Sequence, residues 1–183
     1  MTLFFPYLET KRIRLVPAAE QDARILYGLL LRLGMASLPT LDEFMKATAG
    51  GVAARFLVQR QDDGETVGYS SLHQMVPAAG HVEAGIYLDP EHIRSGLGAE
   101  ASTLTLNYAF ATWNVRKVYF QTTEASFDDF GPLLDVLTKE AVLPNHVFFR
   151  GRLWDVHIYA VYREEWEQTG ETFVSRLALR RDP

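Results

Sequence analysis

Polar and apolar positions alternate over Arg12-Ile13-Arg14-Leu15-Val16, the period-two pattern of a half-buried strand, which Pro17 closes. From Glu20 to Leu33 the period becomes helical, with Ala23, Leu26, Leu30 and Leu33 on one face. Thr40-Leu41-Asp42-Glu43 has the form of a capping box, so a second helix starts at Thr40 and ends near Gly50-Gly51. Phe56-Leu57-Val58 and Val67-Gly68-Tyr69 read as paired strands around the turn Asp62-Asp63-Gly64. Val82 to Leu88 is another strand, stopped by Asp89-Pro90, and Ala99 to Trp113 is a helix closed by Asn114. Val118-Tyr119-Phe120-Gln121 continues the strands. Gly131-Pro132 breaks the stretch Phe127 to Lys139, which therefore predicts only a short or bent helix. Val147-Phe148-Phe149 and Trp154 to Tyr162 form a hairpin around Arg150-Gly151-Arg152, and Glu164 to Leu179 is helical only in parts. This order predicts an α+β (mixed α/β) chain, a mixed sheet with helices packed on it rather than a regular doubly wound sheet.

The most informative segment joins a strand to a helix: Ile93-Arg94-Ser95-Gly96-Leu97-Gly98-Ala99-Glu100-Ala101. Strand, glycine turn and helix in that order make a place for a phosphate. Small residues let the backbone close in, and the unpaired N–H groups of the first helical turn point at an anion. A dinucleotide-binding turn fails because residue 101 is alanine where a third glycine is needed. A nucleotide-triphosphate loop fails for want of a Gly-Lys-Ser/Thr ending. The ligand expected here is a phosphate-bearing cofactor.

Composition narrows the classes. The 183 residues amount to a single domain over 1–183, and 48% hydrophobic with 22% charged residues is the ordinary globular range. No apolar run approaches the ~20 residues that span a bilayer. The start, Met1 to Tyr7, is too short and lacks the basic flank of a signal peptide. The absence of cysteine excludes disulfides, thiolate metal sites and a thiol nucleophile, and fits a cytoplasmic location. A formal charge of −5 argues against a nucleic-acid binder working by charge alone. Two arginine groups, Arg176 with Arg180 and Arg181, and Arg150 with Arg152, read as solvated surface.

With these residues in place the chain resembles the GNAT superfamily of acyl-CoA-dependent N-acyltransferases, and within it the branch that acetylates ribosomal-protein N-termini. The resemblance covers about residues 8–166 and leaves 167–183 as an extension. It runs through Leu8-Glu9-Thr10-Lys11-Arg12-Ile13-Arg14-Leu15, Glu83 to Leu88 and Gly96 to Ala101. It continues through Tyr108-Ala109-Phe110, Asn114 to Val118, Gly151 to Val156 and Tyr159 to Trp166. It implies a central, mostly antiparallel sheet of about seven strands with helices on both faces. It also implies acetyl-CoA, or another acyl-CoA, as co-substrate, with no metal. The cofactor-binding set it implies is Ile86, Tyr87 and Leu88 on the strand, Ile93, Arg94, Ser95, Gly96, Leu97, Gly98 and Ala99 in the loop, and Thr123. Ile93 stands where the family usually has Gln or Arg, and Arg94 can supply the missing charge.

Amine acylation asks for a base, oxyanion donors and an acid for the leaving sulfur. Glu83 is the base candidate: it alternates away from Val82, Ala84, Ile86 and Leu88, and a bulge at Gly85 would re-aim it toward a cleft. The competing reading is a solvent-facing strand glutamate. The resemblance implies Ser126 as the acid candidate, and the competing reading is a plain helix cap for Asp128 and Asp129. The family's asparagine is replaced by Thr123, and Phe127–Leu134 is about two residues longer than the resemblance leads one to expect. His81, His92, His146 and His157 show no metal spacing, and Asp155 reads equally as a holder of a loop amide.

The expected reaction is transfer of an acetyl or other acyl group from CoA to a primary amine by direct attack in a ternary complex. The acceptor is a small amine or a peptide N-terminus, walled by Leu33-Gly34-Met35-Ala36-Ser37-Leu38-Pro39. One alternative donor is an acyl carrier protein's phosphopantetheine, or a bulkier acyl-CoA. Another alternative is a non-catalytic acyl-CoA-binding or protein-interaction module. In the extension, Phe173, Leu177 and Leu179 are available to cover the sheet or to meet a second copy in a homodimer.

Overall fold

The computed structural model describes residues 5–35, 37–124 and 126–178. Residues 1–4 at the start, Ala36 of the expected acceptor wall, and Leu179, Arg180 and Arg181 of the tail lie outside the described residues.

Seven strands form one sheet: β1 (Ile13–Pro17), β2 (Val52–Arg60), β3 (Thr66–Val76), β4 (His81–Leu88), β5 (Lys117–Thr122), β6 (Thr138–Phe149) and β7 (Arg152–Tyr162). Their order is β1-β2-β3-β4-β5-β7-β6. Every neighbouring pair is antiparallel except β4 and β5, which run parallel. A parallel pair needs a crossover, and helix α3 (Leu97–Thr112) supplies it. Helices α1 (Ala23–Arg32) and α2 (Leu41–Thr48) precede β2, and α4 (Arg163–Ala178) follows β7.

The core lies between α3 and the sheet. Ile13, Leu15, Phe56 and Val58 meet Ala101 and Leu104 near the start of α3, while Val82, Val118 and Val161 meet Leu106, Ala109 and Phe110 near its end. Burying each such large side chain contributes about 1.5–3 kcal/mol. Several polar residues of this helix are buried as well and have partners. Thr103 and Thr105 donate to the carbonyls of Ala99 and Ala101, Thr105 also meets Ser70 Oγ at 2.7 Å, and Asn107 donates to the Phe5 carbonyl. Small residues bring the helix close to the sheet without leaving polar atoms unpaired.

The C-terminal end of α3 is held by Arg163, whose guanidinium donates to the carbonyls of Phe110, Trp113 and Val115. Burial pulls the pKa of Arg163 down.

Several expectations need correction. α3 begins at Leu97 rather than Ala99, and Trp113, not Asn114, closes it. β6 runs from Thr138 rather than from Val147. Its first half is a largely exposed edge strand, and its register with β7 shifts between Leu143 and Val147, so its pattern never alternates cleanly. The Asp155 carboxylate accepts from the Asn145 N–H at 2.8 Å across that irregularity, the structural role considered for it. The segment after β5 is a 3-10 stretch (Phe127–Val136) bent at Gly131, in keeping with the short or bent helix expected.

α4 is one continuous helix rather than fragments. Its apolar positions are sparse, but Trp166 is fully buried and stacks between Phe110 of α3 and Phe173. Tertiary packing supplies what local propensity lacks.

Candidate active site

β4 and β5 pair only from His81–Lys117 to Ala84–Phe120. Each continues to pair on its outer side: β4 with β3 as far as Leu88, and β5 with β7 as far as Thr122. The two strands therefore part in the middle of the sheet, leaving backbone groups of Gly85–Leu88 and Gln121–Thr122 without a ladder partner on their facing edges. A cavity of about 670 Å³ occupies the gap. β4 lines it with Ile86, Tyr87 and Leu88; the β5 side lines it with Gln121, Thr123 and Ser126.

No bulge occurs at Gly85. It pairs with Ser71 in regular register between Leu72–Ala84 and Ser70–Ile86. The glycine is needed for another reason: a Cβ added there would lie 3.0 Å from the Tyr87 ring and 3.3 Å from His73. Its absence lets the Tyr87 ring lie back along β4 toward Glu83.

The loop before α3 is held from several sides. Ser95 Oγ donates to the His92 carbonyl and accepts from the Leu97 N–H at 3.3 Å. Gly96, the N-cap of α3, has φ +81, a left-handed conformation that disfavours a side chain, and a Cβ there would also sit 3.1 Å from Arg12 Nη2. Arg12 is the brace. Its Nη1 donates to the Ser95 carbonyl at 2.9 Å and its Nε to Glu100 Oε1 at 2.6 Å, while Thr10 donates to Glu100 Oε2 at 2.5 Å. Glu100 is almost fully buried, so these bonds are charge-assisted and shielded from water.

This brace was not anticipated, although Thr10, Arg12 and Glu100 all lie in quoted segments. The loop residues divide as follows. Ile93, Arg94 and Gly98 line the first cavity. Arg94, Gly96, Gly98 and Ala99 line a second one of about 480 Å³ on the loop's other side. Leu97 is a core side chain whose N–H is engaged by Ser95, so it turns away from both. The N–H groups of Gly98 and Ala99, in the first turn of α3, have no intrahelical partner and can meet an anion. From α4, Phe173, Arg176 and Leu177 line the second cavity. The extension thus faces this cavity and the α3 core.

Glu83 sits one layer behind the first cavity. Its Oε2 accepts from Gln121 Nε2 at 3.1 Å, and its Oε1 lies 3.4 Å from His73 Nε2. Its side chain is 16% exposed, so it is no solvent-facing glutamate. Gln121 and Tyr87 stand between it and the cavity. Burial, and then the charge of Glu83, push the Tyr87 phenol above its usual pKa and keep it protonated at neutral pH.

His73, absent from the histidines considered above, was missed. The signal lay in the period-two pattern: Ser71 and His73 share a face of β3, and His73 pairs with Glu83 across the sheet. Ser71 Oγ lies 3.4 Å from His73 Nδ1. Ser126 makes no side-chain capping bond, so the plain-cap reading fails.

The remaining wall comes from Leu30, Leu33 and Met35 and from Val147, Phe149 and Arg150 at the β6–β7 tip. Leu33 and Met35 belong to the segment expected to wall the acceptor. Arg150 is exposed, as expected, and also joins the two parts: its N–H donates to the Gly34 carbonyl at 3.4 Å and its Nε to the Leu33 carbonyl at 3.3 Å. Arg152 stacks on Trp154 with its guanidinium 3.4 Å from the ring centre. Among the described residues, no helix is long and apolar enough to cross a membrane.

Comparison with known proteins agrees with this geometry. The sequence pattern of the acetyltransferase (GNAT) domain matches residues 12–125. An uncharacterized N-acetyltransferase of Bacillus subtilis, YoaA, is 24% identical over 177 residues, covering 87% of this chain and 98% of the relative. Among solved structures, mutant forms of the spermidine/spermine N-acetyltransferase SpeG from Vibrio cholerae superpose with a TM-score of 0.71 at 18% identity, covering 85% of this chain and 96% of theirs. A GCN5-related N-acetyltransferase from Brucella melitensis gives a TM-score of 0.69 at 21% identity over 97% of this chain and 86% of its own.

Proposed function

The chain belongs to the GNAT acetyltransferase family, and from that premise we propose that it moves an acetyl group from acetyl-CoA to a primary amine by direct attack in a ternary complex. The observation that carries this reading is the parting of β4 from β5, which sets loop donors, Gln121 and Ser126 around one cavity. Acetyl-CoA, when bound, supplies the activated acyl group. The N–H groups of Gly98 and Ala99, with Arg94, would hold its pyrophosphate, and the open edges of Gly85–Leu88 and Thr123 would hold the pantetheine arm. The second cavity gives the nucleotide half a place beside Phe173 and Arg176, which favours CoA over a carrier-borne phosphopantetheine.

Glu83, its carboxylate fixed by His73, receives the proton of the acceptor ammonium through an intervening water that takes up that proton and passes one of its own on. Free backbone N–H groups on the inner edge of β4 face the developing oxyanion. Ser126 donates to the departing sulfur. Both the peptide N-termini suggested by the resemblance and the spermidine of the Vibrio protein are primary amines, so both fit at this level.

Calorimetric titration with acetyl-CoA, free CoA and phosphopantetheine tests the donor, and the expected result is tight binding that needs the nucleotide half. For the chemistry, Glu83→Gln should lower kcat about 10²–10³-fold with acetyl-CoA affinity unchanged, and Ser126→Ala about tenfold or less. Undiminished turnover in Glu83→Gln would remove Glu83 from the mechanism.

A further inference from the structure

The first cavity differs in charge from the molecule around it. The chain carries a formal −5, yet among the residues whose side chains the structure describes, a set that omits Asp128 and Asp129, no aspartate or glutamate lines this cavity, while Arg94 and Arg150 both do. Two carboxylates next to lining residues are engaged elsewhere. Asp89, beside the lining residue Pro90, is paired with Arg32 at 2.7 Å, and Glu83 is held behind the wall by Gln121 and His73. Arg94 lies in the loop leading to α3. Arg150 comes from the opposite side of the fold, the tip of the β6–β7 hairpin, and its contacts are with the carbonyls of Leu33 and Gly34.

Those contacts use the backbone N–H and Nε of Arg150 and leave the two Nη groups. No carboxylate among the described residues forms an ion pair with them. Around Arg150 the wall is apolar: Leu30, Leu33, Met35, Val147 and Phe149. A second ammonium placed here would meet a guanidinium instead of a counter-ion. A carboxylate here would gain a two-pronged charge-assisted pair.

We infer that the acceptor is a primary amine joined through a short apolar body to an anionic group, which Arg150 receives, and that polyamines are disfavoured. This rests on the acetyltransferase reading above and names its acceptor class. Arg150 is here a specificity residue that touches the acceptor and takes no part in proton transfer.

The test uses three acceptors of one chain length: ω-aminopentanoate, its primary amide and the corresponding diamine, each with saturating acetyl-CoA. The expected order of kcat/KM is carboxylate above amide above diamine, with at least about a tenfold step between the first two, equivalent to about 1.4 kcal/mol. Arg150→Gln should shrink that step to about twofold, and Arg150→Glu should favour the diamine. Arg152→Gln, which alters a neighbouring guanidinium engaged by Trp154, should leave the order intact. A wild-type preference for the diamine overturns the inference. So does an order indifferent to Arg150, or an Arg150→Gln effect confined to the KM of acetyl-CoA. If acetyl-CoA binds and none of the three is acetylated, the acceptor class is wrong and the acetyltransferase reading survives. If acetyl-CoA itself does not bind, that underlying reading falls.

Discussion

Arg12 and Arg150 each tie one loop to the cleft, and they do it in opposite ways. Arg12 reaches a nearly buried carboxylate through bonds of 2.5–2.6 Å and at the same time holds the Ser95 carbonyl, so the loop before α3 is tied by charge-assisted contacts to a carboxylate that water barely reaches. Arg150 is exposed at a hairpin tip and holds the loop after α1 through bonds of 3.3 and 3.4 Å to neutral carbonyls. One wall is rigid and offers mainly backbone to its ligand. The other is weakly held and offers side chains. A chemically constant donor suits the first, and an acceptor that varies between relatives suits the second, because exposed tip residues can change without disturbing the core.

The sharpest way to break this contrast is Arg12→Ala. It leaves Glu100 buried with Thr10 as its remaining partner, so unfolding in urea should show a loss of about 1–3 kcal/mol, toward the lower end because Arg12 is itself half exposed. Acetyl-CoA affinity should fall about tenfold or more as the loop loosens. Arg150→Gln should change stability by no more than about 0.5 kcal/mol. Equal effects of the two substitutions on stability would erase the distinction.

A smaller effect is expected at Gly85. The added Cβ of Gly85→Ala would press on the Tyr87 ring and on His73, moving the layer that screens Glu83. Steady-state kinetics should show kcat reduced about tenfold while acetyl-CoA binding is retained, since the loop is untouched. A change in acetyl-CoA affinity without a change in kcat would place Tyr87 on the donor side instead.

The smallest effect concerns pH. Lys117 donates to both carboxylate oxygens of Glu140 at 2.8 and 2.9 Å, tying β6 to β5. Burial alone would raise the Glu140 pKa, but the bonds from Lys117 and Tyr162 outweigh it and hold the value below the ordinary range. Its stabilisation is therefore complete above the unfolded value of about 4.3 and is lost as pH falls through the lower folded one. Burial would lower Lys117, and its interactions with Glu140 and Tyr119 together outweigh that. Its share persists below about 10.4 and is lost as pH rises through the raised folded value. Thermal melts should be flat between those limits and fall at acid pH. In Glu140→Gln the acid step attributable to this pair should vanish.

Much of this was legible before any coordinates. The alternation at Arg12–Val16, the capping box at Thr40 and the glycine loop each depend on neighbours in sequence, and each appeared near its expected place. Thr40 and Glu43 do form the reciprocal cap. The second half of the fold was less readable. The early part of β6 is an exposed edge with a shifted register, and α4 is stabilised by Trp166 stacking on a helix more than fifty residues away in sequence.

The site divides along the same line. The sequence by itself determined that a strand, a glycine turn and a helix N-terminus follow one another, because short-range sterics dictate it, and this is the arrangement proposed above to hold an anion. Only the tertiary structure decided that β4 parts from β5 after Ala84, that Arg12 braces the loop across 88 residues, and that Arg150 meets Leu33 across 117. These contacts join residues remote in sequence, and their free energy exists only once the sheet has brought them together in space.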